Sequence, residues 1–262
     1  MTLDDESRRE IAETLREAEA LVRPVEPPSR TRPGLDTAGA YGVQMHNIAR
    51  RVAGGARPVG YKVGLTSAVV QELIGVDEPD FGHLLDDMLV EEGGATEAAR
   101  YCAPRVEPEI CFRLGRSLRG PGVTAQDALA ATDAVAPALE IADSRVRDWE
   151  ITLVDTVADN ASGAALVHGP WTPLAQVPDL ASLAVDLRID GESVARGEGR
   201  AVLGHPAEAL AWLANALAEF DTALEPGQVV LTGSMTTAPF VAAGNSVEAR
   251  FDTLGPVSVS FT

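Results

Sequence analysis

From Val59 onward the chain is a series of short apolar stretches, each cut off by Gly, Pro or Asp after a handful of residues. Tyr61–Leu65, Val106–Leu114, Gly163–His168, Ala184–Ile189, Gln228–Leu231, Val247–Phe251 and Val257–Phe261 have the length and side-chain content of strands. Helices interrupt them at irregular intervals. Thr124 is placed to cap one over Ala125–Ala134, and Leu210, Leu213, Ala214 and Leu217 make one face of another over Pro206–Ala218. A parallel barrel or a doubly wound sheet needs regular strand–helix alternation, which is missing here, and no glycine-rich phosphate loop opens a helix after a strand. The expected fold is therefore α+β, built on a rolled or sandwiched sheet.

The first residues follow a different pattern. Ile11, Leu15, Ala18 and Leu21 recur at helical spacing within Leu3–Leu21. Arg23–Gly34 holds four prolines and reads as a linker or extended arm. A second helix is expected over Asp36–Val52, with Asp36 or Thr37 as its cap and Gly54-Gly55 as its stop. Residues 1–55 are thus an expected N-terminal helical segment, and 56–262 the catalytic β-roll domain. Cys102 and Cys111 match neither a disulfide framework nor a CxxC metal site, and Cys111 lies in an apolar run suited to the core.

Charge narrows the partners. With a formal net charge of -18 and no basic stripe, the chain is not expected to bind nucleic acid. No apolar run is long enough to span a membrane, and the acidic start lacks the features of a secretory signal, so the expected compartment is the cytoplasm. Acidity of this degree reads first as solubility; a small anionic substrate would need a local positive site. Of 21 basic residues only Lys62 is a lysine, and it sits in the apolar, glycine-flanked Val59-Gly60-Tyr61-Lys62-Val63-Gly64-Leu65. An ammonium can lose its proton or act as a compact point charge, and a guanidinium does neither well. Lys62 is either an ordinary survivor or a site residue, and its setting favours the site.

Arg105-Val106-Glu107-Pro108-Glu109 is the sharpest local pattern. On a strand, Glu107 and Glu109 share a face, because side chains alternate with period two. They repel there unless the face is solvated or a hard divalent cation compensates. Glu140 lies embedded in Pro137-Ala138-Leu139-Glu140-Ile141-Ala142 and needs a partner, either Arg145 or the same cation. Three carboxylates suit Mg²⁺ or Mn²⁺. The acid-rich loop Gly75–Gly82 and the segment Asp155–Ser162 are either turn chemistry or parts of a site. His205, ahead of Pro206, fits a helix-opening role better than a catalytic one.

Taken together these segments resemble the 2-keto-4-pentenoate hydratase family, which includes oxoheptenedioate hydratases and 4-oxalocrotonate decarboxylases, within the fumarylacetoacetate hydrolase superfamily. The resemblance covers nearly the whole chain, from Ala40-Tyr41-Gly42-Val43-Gln44 to Leu254-Gly255-Pro256-Val257. It passes through Gly60–Ser67, Glu78–Gly82, Glu107-Pro108-Glu109, Pro137–Glu140, Asp143-Ser144-Arg145, Asp155–Ser162, Leu203–Pro206 and Leu231–Ser234. It implies the superfamily's rolled, mixed but mostly antiparallel sheet, with Mg²⁺ or Mn²⁺ on Glu107, Glu109 and Glu140. It also implies Lys62 and Asp80 as catalytic residues, and Ser162 and Leu65 at the substrate. The implied substrate is a small 2-oxo or 2-hydroxydienoate, hydrated at C4 to a 4-hydroxy-2-oxo acid in a meta-cleavage pathway. A homo-oligomer, pentameric or decameric, and a complex with the downstream aldolase are implied as well. Hydratases of this group carry an acid just before the Phe/Tyr-Gly pair, as Asp80 stands here, where the decarboxylases tend to an apolar residue. Two other readings stay open: a 4-oxalocrotonate-type decarboxylase, and a non-catalytic partner subunit of such a complex. A carbon–carbon hydrolase fits less well, since its His–Glu water-activating pair is not found.

Overall fold

A computed structural model describes residues 3–67, 71–72 and 75–262. Helix α1 spans Asp5–Leu21, capped by Asp4, whose carboxylate accepts from the Ser7 amide at 2.9 Å. A short α2 covers Pro28–Thr31 within the proline-rich stretch, and α3 runs over Thr37–Ala53. Asp36 caps α3 by accepting from the Gly39 amide at 2.8 Å. Among the described residues no helix is long and apolar enough to cross a membrane.

Two sheets make up the rest. The first has the order β2-β1-β10-β4-β5-β6: β2 is Asp80–Leu85, β1 Pro58–Gly64, β10 Val229–Leu231, β4 Arg105–Leu114, β5 Thr132–Ala142 and β6 Gly163–His168. A two-residue β7, Thr172–Pro173, also pairs with β5. The second has the order β3-β12-β11-β8-β9, from Ala95–Thr96, Gly255–Phe261, Ser246–Phe251, Ala184–Ile189 and Glu192–Glu198. Only β1 with β10 and β12 with β3 run parallel; the other pairs are antiparallel. This is the mixed, mostly antiparallel α+β architecture expected. The main core joins both sheets with two helices, α4 (Ala125–Ala131) and α6 (Pro206–Ala218), through residues such as Phe112, Leu139, Leu187, Leu210 and Phe261.

Three local expectations change. The helix opened by Thr124 ends at Ala131, not Ala134, and β5 starts at Thr132. Alanine suits a helix, but the run from Thr132 to Ala142 is buried at all but one position as a central strand, and that packing overrides propensity. The segment Asp155–Ser162 is not turn chemistry throughout: its first four residues complete helix α5 (Leu153–Ala158), which a Thr152/Asp155 capping box starts. Finally, the last three residues of the acid-rich loop, Asp80–Gly82, belong to strand β2.

The N-terminal helices reach the other elements through two contacts that bear on the site. Ile11 and Leu15 of α1 and Ala40 and Val43 of α3 bury against Val157 and Ala158 of α5. Gln44 of α3 is buried and donates to the carbonyls of Phe81 at 3.0 Å and Val157 at 2.9 Å, fastening β2 to α5.

A carboxylate-lined cavity with a single lysine

Strand β4 carries Glu107 and Glu109 on one face, and antiparallel pairing sets Glu140 of β5 directly opposite Glu107. Directly paired residues hold their Cβ atoms about 4.5–5.5 Å apart, so two like charges meet there. One oxygen from each of Glu107, Glu109 and Glu140 lies within 4.8 Å of the others. The carboxylates therefore converge, as the strand period alone suggested for the first two.

Lys62 arrives from β1, three strands from β5 in the sheet order. In a flat sheet those strands would lie about 14 Å apart. Yet Lys62 Nζ lies 3.3 Å from Glu140 Oε1, so the sheet curls around this point. At that separation the contact is an ion pair rather than a directed hydrogen bond; the directed bond goes from Nζ to the Ala161 carbonyl at 2.8 Å. Arg145, the other candidate partner for Glu140, is committed elsewhere. Its Nε donates to Asp159 Oδ1 at 2.6 Å.

Burial governs the ionisation of the cluster. It pushes the Glu107 carboxyl up to about 7, reinforced by the charge of Glu140 opposite. Burial raises Glu109 well above the carboxylate range, with Glu140 and Glu107 adding to it. Glu140 is raised by burial too, against the pull of Lys62. For Lys62 burial works toward loss of the proton, but the charges of Glu140, Asp80, Glu107 and Glu109 outweigh it, and the ammonium is held above its ordinary value.

Hydrogen bonds leave the cluster incomplete. Glu109 Oε2 accepts from the Gly233 amide at 2.7 Å. Gly233 has φ +105, and a Cβ there would meet Thr66 Oγ1 at 2.0 Å, so only glycine can bring this amide so close. Glu109 Oε1 and both oxygens of Glu140 are buried with no hydrogen-bond partner. Such groups cost about 1–3 kcal/mol each, more when charged, unless something satisfies them. A hard cation with oxygen ligands meets that need, so the donor set fits one.

The cluster opens into a cavity of about 700 Å³ whose lining includes Lys62, Leu65, Asp80, Glu107, Thr156 and Ser162. Asp80, at the start of β2, pairs with Gly64 across the β1–β2 ladder. Its Oδ2 accepts from Thr156 Oγ1 at 3.1 Å, and Thr156 Oγ1 lies 3.4 Å from Ser162 Oγ. Burial raises the Asp80 carboxyl, with Lys62 opposing. Leu65 lines the wall with φ 55, turning the chain just after β1. The cavity thus gathers all seven residues singled out in the sequence except that Glu109 and Glu140 lie behind its wall, in the cluster. His205 is not in the lining; its Nδ1 accepts from the Ala207 amide at 3.0 Å and caps α6. Reading the sequence missed Arg105 and Trp149, which also line the cavity, and did not single out Thr156 within Asp155–Ser162. Extending the ExE spacing back by two would have found Arg105; Trp149 and Thr156 arrive through tertiary folding.

Comparison with known proteins supports one lineage. Residues 69–262 match the family described as fumarylacetoacetate (FAA) hydrolase C-terminal. A 2-keto-4-pentenoate hydratase from Burkholderia vietnamiensis is 43% identical over 259 residues, 99% of each chain. A 4-oxalocrotonate decarboxylase from a Pseudomonas species is 44% identical over 220 residues, 84% of this chain and 85% of the relative. The structure of 4-oxalocrotonate decarboxylase from Pseudomonas putida G7, complexed with magnesium and adipate, superposes with a TM-score of 0.97 at 37% identity, covering 100% of this chain and 99% of that one.

Proposed function

The chain belongs to the fumarylacetoacetate hydrolase family, and from that premise we propose that it is a divalent-metal-dependent hydro-lyase. Its substrate is 2-hydroxypenta-2,4-dienoate or a close analogue, and its product a 4-hydroxy-2-oxo acid. The observation that carries the reading is the set of three converging glutamates with unsatisfied buried oxygens beside the chain's single lysine. The name of the hydratase relative, matched over 99% of both chains, supports it.

Glu107, Glu109 and Glu140 would hold Mg²⁺ or Mn²⁺, which supplies Lewis acidity toward a substrate oxygen. The remaining work falls to the chain's own groups. Lys62 is set in the cluster by its ion pair with Glu140 and its hydrogen bond to the Ala161 carbonyl. Its ammonium serves as a positive charge for the negative charge that grows on the substrate's C2 oxygen. Asp80 has a raised carboxyl, and that suits a group that delivers a proton to the far end of the dienol. Ketonisation gives an α,β-unsaturated ketone, and water then adds at C4 while C3 takes a proton; Asp80 orients that water. Thr156 holds Asp80 in place, and Ser162 donates to the substrate carboxylate, with Leu65 as an apolar wall.

A second reading, decarboxylation of a 4-oxalocrotonate-type acid, is favoured by the magnesium-bound structural relative. The two separate in one experiment. The purified chain with Mg²⁺ is given 2-hydroxypenta-2,4-dienoate and, separately, 4-oxalocrotonate, while diene absorbance and CO₂ are followed. Loss of the diene with no CO₂ from the second acid supports the hydratase. Release of CO₂ as the main reaction overturns it. Turnover by the isolated chain also removes the non-catalytic partner-subunit reading.

The same reading places the protein in meta-cleavage catabolism in the cytoplasm, as a pentameric or decameric homo-oligomer that passes product to an aldolase. Residues 1–55 act in it as a helical segment buttressing a catalytic domain of residues 56–262.

A further inference from the structure

The cavity contains a second cation with no role in the scheme above. Arg105 sits two residues before Glu107 on the same face of β4, and its side chain lines the same cavity. Its guanidinium carbon lies 4.7 Å from the centre of the Trp149 ring and 4.1 Å from that of Phe240. The Trp149 ring and the backbone that carries the half-exposed Phe240 ring are anchored beside Arg105. Trp149 Nε1 donates to the Ala103 carbonyl at 3.0 Å. The Val106 amide donates to the Pro239 carbonyl, and the Val241 amide to the Pro104 carbonyl, each at 3.1 Å. An arginine clamped between two such rings presents its planar fork already oriented, so little rotamer freedom is lost when an anion docks.

Among the described residues that fork has no salt-bridge partner; the Glu107 carboxylate acts on it only from beyond ion-pair distance. Arg113, further along β4, pairs with Asp133 at 3.0 Å, and Arg145 pairs with Asp159. Arg105 has no such ion pair among the described residues, and its Nε is buried with no hydrogen-bond partner. Glu150, also in the lining, is taken by Arg30 at 2.6 Å. Lys62, the other cation of the lining, is held by Glu140 and the Ala161 carbonyl. An incoming acid therefore meets one uncommitted cation among the described lining residues.

We propose that Arg105 is the docking group for a carboxylate of the bound substrate, with Trp149 and Phe240 as the clamp that fixes its fork. The proposal rests on the reading that the cavity takes 2-oxo acids, and deepens it by naming the residue that selects the anionic group. Two carboxylates could fill this place: the one beside the 2-oxo group, or a second one at the far end of a dicarboxylic substrate.

Calorimetric titration of the Mn²⁺-loaded protein with pyruvate and with 2-oxoadipate tests it without turnover, so failure of the hydratase assignment would not be confused with failure here. Arg105→Met retains the apolar stem between the rings. Removing a charge-assisted, bidentate pair of hydrogen bonds in this way should weaken binding about ten-fold or more. Weakening of both probes assigns Arg105 to the carboxylate beside the 2-oxo group, and weakening of 2-oxoadipate alone assigns it to the far one. Arg105→Lys, which keeps charge without the fork, should recover part of the affinity. Mn²⁺ affinity and melting temperature, read on the same samples, should stay near wild type, which a merely structural arginine would not allow. If R105M does not melt cooperatively, R105Q is read by the same rule. Both probes binding within two-fold of wild type, or wild type binding neither, overturns the proposal.

Discussion

Loading the metal-free protein with Mn²⁺ should expel protons, and the number expelled should fall as pH rises. The cause is the burial that lifts the Glu107 carboxyl to about 7 and Glu109 well above its usual range. Metal ligation requires the carboxylate form, so any proton present must leave. A group titrating near 7 is about 0.9 protonated at pH 6 and about 0.1 protonated at pH 8. Glu107 alone should thus make proton release fall by about 0.8 between those two pH values. Glu109 adds release at both. The assay is isothermal titration in pairs of buffers with different ionisation enthalpies, whose slope counts protons directly. Glu107→Gln should abolish the pH-dependent part while weakening the metal. No proton release at pH 6 would refute the reasoning. It would mean that the carboxylates are already ionised in the metal-free cavity.

The same shift has a stability consequence. The folded metal-free chain holds a proton on Glu107 that the unfolded chain gives up near 4.5, so this contribution is full below 4.5 and lost as pH rises through about 7. Melting of the metal-free protein relative to the metal-saturated one should decline across that window by up to about 3 kcal/mol, less because Glu107 is partly open to cavity water; a pH-independent gap would contradict this. Lys62→Met should fold and bind Mn²⁺ yet lose about 10²-fold or more in turnover, and near-normal rates would remove the ammonium from the chemistry. Asp80→Asn should retain Mn²⁺ binding and lose hydration; a hydration rate within a few-fold of wild type would take Asp80 out of the proton path. Arg145→Ala strands the buried Asp159 carboxylate and should cost about 3–5 kcal/mol in denaturant unfolding, where less than 1 kcal/mol would show the pair to be dispensable.

How much of this was visible in the sequence depends on the range of the interaction. The strand period set Glu107 and Glu109 on one face, and the lone lysine in an apolar run marked Lys62, because both are local statements. That Glu140 stands opposite Glu107, and that Lys62 reaches Glu140 rather than leaving it to Arg145, depends on cross-strand pairing and on curvature of the sheet. Neither is encoded within a short window. Strand β5 was obscured by its own alanines, which suit a helix until the surrounding core decides otherwise. Asp80 was read from a resemblance and from turn chemistry, although it begins a strand. Its partner Thr156 became apparent only when α5 was placed beside β2.

The pairing of β4 with β5 has a consequence for how the protein comes into being. Side chains that follow Glu109 and precede Glu140 on the same faces, such as Cys111, Ala136 and Ala138, are fully buried among apolar neighbours. A slip of one residue would swing the acids of one strand to its opposite face, among the buried Val106, Ile110 and Phe112 of β4 or Val135, Leu139 and Ile141 of β5, and would bring those apolar side chains into the cluster instead. Folding therefore proofreads the chemistry: a chain that has buried its hydrophobic side chains correctly has, by the same act, aligned its ligands, and a misaligned chain is discarded before it could ever bind a metal badly.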